Sequence, residues 1–235
     1  LETYACHHHG YLNVGYMAIT LSNLAMFHFA CKEEGWEPPE ALYLHAREVW
    51  QIVKTCTFPD GRLWRIGGDS RVRYCYCQDY AIPVWCFARD HLGDADAARF
   101  HAGWVRQVAA EAATNGDGSF LGRRLRRLEA AAPLYTSRLE GDRVCSLGMA
   151  LAWGPAADAA PLAADACPRL AAWSDDLHGA SLVHEPKRFA SWTWVASEPP
   201  QGMCLPPGGS DLAEWRHGLS GQIRSLGIVT TRSVT

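Results

Sequence analysis

From Asn13 to Glu34 apolar residues fall on almost every side of a 3.6-residue repeat. Val14, Met17, Ala18, Leu21, Leu24, Ala25, Phe27 and Phe29 leave little polar surface, and the pattern predicts a buried helix ended by Gly35. Pro38-Pro39 open a second helix over 40–57, with Leu42, Leu44, Ala46, Val49, Trp50, Val53 and Cys56 as its apolar stripe. Phe58-Pro59-Asp60-Gly61 signals a turn, and an irregular stretch rich in Gly and Arg runs to Arg73. Helical spacing resumes over 74–92, interrupted at Pro83. Gly93 stops it, and Asp94 caps a helix over 95–114. After the loop Asn115-Gly116-Asp117-Gly118-Ser119, a basic helix is predicted over 123–132 and an apolar one over 142–153. Residues 154–168 are rich in Ala and Pro and read as a linker around a short helix.

Beyond His178 the period changes from 3.6 to 2. Residues 181–184 and 188–196 read as strands. The second alternates Arg188, Ala190, Trp192 and Trp194 against Phe189, Ser191, Thr193 and Val195. A turn at 198–202 and a third strand over 203–205 follow. Helix–turn–helix pairs followed by antiparallel strands predict a mainly α fold in two segregated parts, a helical domain over 1–177 and a β unit over 178–235.

Composition changes this picture little. A chain of 235 residues, 48% hydrophobic, can bury a sizeable core. A net charge of −3 does not favour nucleic acid as a partner. Apolar runs are interrupted often enough that no membrane span is expected. The first residue is not Met, and the last six follow unfinished β structure, which reads as a piece of a longer chain. Nine scattered cysteines cannot all pair, and most read as free small hydrophobes. Ten tryptophans are enough to favour slightly a carbohydrate-type groove over core filling alone.

Two segments can carry chemistry. His7-His8-His9-Gly10-Tyr11-Leu12-Asn13 leads into the first long helix. It lacks the spacing of a metal site and suits presentation of His to an acidic or carbonyl group. The second segment, 60–80, gathers Trp64, Asp69, Arg71, Arg73, Tyr74 and Tyr76 around Gly67-Gly68. Arg71 and Arg73 can fork onto a carboxylate or sulfate. A Tyr beside such cations can serve as a phenolate base. Cys75 and Cys77 are too close in sequence for an ordinary zinc pair.

On these residues the chain resembles the α/α toroid domain of heparinase II/III-like and alginate-lyase-like polysaccharide lyases. In the alginate-lyase relatives an Asn-His-Gly stretch opens a toroid helix, and His8-His9-Gly10 stands in that place. A later Asp-Gly…Glu…Arg…Tyr loop holds their catalytic Tyr, and Asp60-Gly61 through Arg73-Tyr74 is its counterpart. His8 replaces the family's carboxylate-neutralising Asn, and the loop lacks the family's Glu. The further His or Tyr that such enzymes take from later in the chain has no assignment. The resemblance implies an incomplete α/α toroid followed by the start of an antiparallel β-sandwich. It implies β-elimination on a uronic-acid-containing polysaccharide. His8, His9, Tyr74 and Tyr76 would be the catalytic set, and Arg71, Arg73, Trp64, Asn13 and Asp69 would bind substrate. No cofactor or metal is implied, and a periplasmic or secreted location goes with it.

Two other readings compete. An α/α-barrel glycoside hydrolase would use two carboxylates, Asp69 with Asp79 or Asp117. A non-catalytic glycan-binding domain would use Arg123, Arg124, Arg126 and Arg127 as an anion-binding face.

Overall fold

The computed structural model describes residues 3–8, 11–64, 66, 74–154, 172–195, 201–210, 221–225 and 228–232. A two-residue ladder, β1 (His7–His8) on β2 (Tyr11–Leu12), leads into helix α1 (Val14–Glu33). Asn13 caps α1, its Oδ1 accepting the Tyr16 N–H at 3.0 Å, and Gly35 in the left-handed region ends it. The predicted second helix is split. A 3₁₀ turn over Glu40–Tyr43 precedes α2 (Ala46–Thr55), because His45 takes a left-handed conformation between them. The turn at 58–61 forms as predicted. Gly61 sits at φ +86° against the backbone of Phe100 and the side chain of Trp104, where a Cβ has no room.

Helices α3 (Tyr74–Asp79) and α4 (Ala81–Asp90) follow. Their break is at Tyr80, not at Pro83. Pro83 is the third residue of α4, where its missing N–H would have no helical partner anyway. Asp94 caps α5 (Ala95–Ala113), and α6 (Gly122–Ala131) precedes α7 (Pro133–Ala152), which starts nine residues earlier than its apolar pattern shows. Helix α1 lies along α2, α3 and α4, α4 along α5 and α7, and α7 along α3 and α6.

By length and composition alone α1 is apolar enough to cross a membrane. More than half of it is buried by neighbouring helices, which is how the core helix of a water-surrounded fold also behaves.

The antiparallel sheet runs in the order β3 (Ala172–Asp175), β4 (Ala180–Glu185), β5 (Arg188–Thr193), β6 (Gln201–Leu205). Strand β3 starts before the predicted boundary at 177/178. A separate hairpin pairs β7 (Gly221–Ser225) with β8 (Ile228–Arg232). Ala180, Leu182, Phe189, Met203 and Leu205 join the helices in one buried cluster. Phe189 packs edge-on to Phe58 and Trp64, with ring centres at 4.7 and 5.0 Å. The protein is thus mainly helical with a small antiparallel sheet, and the sheet shares its core with the helices.

Candidate functional site

The start of α1 meets α3 and β1, and β1 in turn meets the turn between β3 and β4. Gly15 faces Cys77 of α3 so closely that an added Cβ would lie 2.7 Å from the Cys77 Cβ. The helix that carries Tyr74 and Tyr76 is therefore seated on the first turn of α1. On the other side, His8 of β1 lies against Tyr16, with ring centres 3.8 Å apart. His7 is exposed and stacks on His178, 5.7 Å away in the turn between β3 and β4.

His178 is part of a dyad. Its backbone N–H donates to Asp175 Oδ1 at 3.0 Å, and its Nδ1 lies 2.7 Å from Asp175 Oδ2. Thr3 Oγ1 lies 3.4 Å from the same nitrogen. Burial pushes the Asp175 carboxyl up, but the N–H and ring of His178, with Thr3, hold it below the usual carboxylate range. A charged Asp175 fixes the proton on Nδ1 and leaves Nε2 as the nitrogen able to accept or pass one. Sequence reasoning used His178 only to mark a boundary. The signal was an Asp-x-x-His turn followed by Gly179, between two strands.

The remaining predicted site residues divide three ways. Asn13 sits at this junction as the α1 cap. It is buried, and among the described residues its Nδ2 has no hydrogen-bond partner. Trp64 does not face a ligand. It is 1% exposed, stacks on Phe58 at 5.0 Å and donates its indole N–H to Ser191 Oγ at 3.1 Å. Its flat face is used up by core packing, so it cannot hold a sugar ring. His9, Asp69, Arg71 and Arg73 lie outside the described residues, as do the side chains of Tyr74 and Tyr76.

The hydrolase carboxylates fare poorly. Asp79 is fully buried at the end of α3. Both its oxygens accept from Arg143 Nε at 3.0 Å, and Oδ1 lies 3.3 Å from Trp104 Nε1. Arg143 also reaches Glu111 at 3.1 Å, and Arg124 holds the other Glu111 oxygen at 2.5 Å. Burial pushes the Asp79 carboxyl up to about 6, against the pull of Arg143 and Trp104. This is a structural ion cluster with no approach for a glycosidic oxygen. Asp117 lines an open cavity of about 400 Å³ with Ser119, Glu129, Thr136 and Glu140. Its hydrogen bonds from Ser119 hold its carboxyl below the usual range, the wrong direction for a general acid. In the basic helix Arg123, Arg126 and Arg127 are exposed, while Arg124 is tied to Glu111.

The seven described cysteines, Cys6, Cys31, Cys56, Cys77, Cys86, Cys145 and Cys204, form no disulfides. Among the described residues no three His, Cys, Asp or Glu side chains are grouped as metal ligands. No family model matches the chain, nor does any curated protein or solved structure.

Proposed function

We propose that this protein is a polysaccharide lyase that cleaves a uronic-acid-containing chain by β-elimination, its helices forming part of an α/α toroid. The observation that supports it is the close approach of Cys77 to Gly15, which seats the helix carrying Tyr74 and Tyr76 on the first turn of α1, beside its Asn13 cap. The Asp175–His178 dyad against His7 adds the later histidine that such lyases use.

The C5 proton of a uronate is too weakly acidic to remove while the neighbouring carboxylate keeps its charge. His8 and His9, with Arg71 or Arg73, neutralise that carboxylate and stabilise the enolate-like intermediate. Tyr74 or Tyr76 takes the C5 proton. The C4–O bond then breaks as the C4–C5 double bond forms, and the leaving oxygen takes a proton from the Tyr or from His178. The ligand is an acidic polysaccharide or oligosaccharide.

The test is a panel of acidic polysaccharides read in parallel by ultraviolet absorbance of the unsaturated uronate and by reducing ends. Elimination raises both, and hydrolysis raises only the second. Of Tyr74→Phe and Tyr76→Phe, one abolishes the ultraviolet signal with an unchanged unfolding midpoint. Full activity in both variants would remove Tyr from the mechanism. Reducing ends without absorbance in the wild type would replace elimination by hydrolysis.

A further inference from the structure

We infer that Gln78 is a positioning residue that locks α3 to the 60s loop and so holds the tyrosine-bearing helix on α1; this rests on the lyase reading for its catalytic consequence only. Helix α3 has six residues, too few to persist without external contacts. Its last three residues hold it to three different partners. Cys77 abuts Gly15 of α1, Asp79 pairs with Arg143 of α7, and Gln78 turns into the loop before α3.

The Gln78 amide is buried and used at both ends. Its Oε1 accepts the Leu63 N–H at 2.7 Å and its Nε2 donates to the Gly61 carbonyl at 3.0 Å. The side chain therefore ties α3 to two backbone groups of the loop at once. No other residue type of that length offers both a donor and an acceptor without charge. Removing it orphans a buried N–H and a buried C=O together.

The geometry makes a local prediction that differs from general destabilisation. Cys77 is buried by α3 docking, whereas Cys56 and Cys86 are buried in the main core. In the full-length Gln78→Ala protein, thiol labelling followed by peptide mass spectrometry shows Cys77 reacting about tenfold faster, with Cys56 and Cys86 still protected. Turnover kcat on a cleaved polysaccharide falls by about a hundredfold with KM little changed, the size of effect a small misplacement produces.

Gln78→Glu supplies the conservative variant. Its carboxylate still accepts from Leu63 but meets the Gly61 carbonyl with no proton. As pH falls the buried carboxyl gains one, restoring the donor, and Cys77 protection and kcat return together. The charged groups on the elements around Gln78 are Asp60 and Arg62 of the loop, and Asp79 with Arg143 and Glu111; Asp79, pushed up to about 6, gains its own proton on the way, and the wild type run at each pH subtracts that effect. Cys77, Cys56 and Cys86 becoming reactive in step, or Cys77 staying protected in Gln78→Ala, overturns the proposal. A wild type that cleaves nothing in the panel refutes the lyase reading, and the labelling result still decides the positioning role.

Discussion

At Gly15 a single hydrogen atom decides whether two helices meet. Ala is the better helix former by about 1 kcal/mol, so by propensity alone Gly15→Ala should stabilise α1. The neighbouring Cys77 Cβ and Sγ would then lie 2.7 and 2.8 Å from the new methyl, and these are not flexible chain ends. Overpacking of this kind costs about 1–3 kcal/mol, which exceeds the propensity gain. Gly15→Ala is therefore expected to lower the thermal midpoint and to raise Cys77 reactivity. An increase in midpoint would mean that α3 is not seated on α1 as described. None of this was legible in sequence, where Gly15 is one small residue in an apolar run. The fate of Trp64 was hidden for a related reason. Its neighbours, Arg62 and Arg65 and two glycines, look like a polar loop, yet the loop folds back through the Thr57–Leu63 bridge and inserts the indole beneath Phe189.

Elements were legible wherever their buried stripe is apolar. Helix α1 was placed to within a residue at each end, and the β5 alternation was read correctly because Phe189 and Thr193 are buried on one side. Helix α7 was half missed because its buried side is largely polar, with Thr136, Arg143 and Ser146 among Leu139 and Ala150. The periodicity is present, but it carries a guanidinium, and a hydrophobicity pattern cannot see it. That guanidinium serves Asp79 and Glu111, so the element is defined by an ion cluster assembled from three other helices. Removing one side of a buried pair strands the other charge. Arg143→Ala should cost about 3–5 kcal/mol in chemical denaturation. Arg188→Ala, in an exposed pair with Glu185 across the β4–β5 turn, should leave the denaturation midpoint almost unmoved. Equal effects would show that the Asp79 cluster is solvated and contributes little to the seating of α3.

The whole molecule integrates its buried charges into one pH profile. His101 in α5 and His184 in β4 are buried, and burial, helped at His101 by Arg89, pushes each imidazole down to about 4. Between 6.5 and 4 the unfolded chain therefore takes up two protons that the folded protein refuses, and stability falls with pH. Asp79 works in the opposite sense. Its carboxyl rises from 3.8 to about 6, so between these values the folded protein holds a proton that the unfolded chain releases. Among the groups with large shifts, the two histidines outweigh Asp79 by a single proton from pH 6 to 4, while the smaller shifts of His91, lowered, and Asp142, raised, oppose each other. The unfolding free energy should then decline by about 1.4 kcal/mol per pH unit. The carboxylates held low, Asp90, Asp94 and Asp175, add to the loss only below their ordinary range. Urea unfolding from pH 7 to 4 measures this slope. In His101→Asn one of the two histidine protons disappears, His184 and Asp79 cancel, and the profile between 6 and 4 should become nearly flat. A variant whose slope matches the wild type would place water at His101 and remove the buried imidazole from the balance.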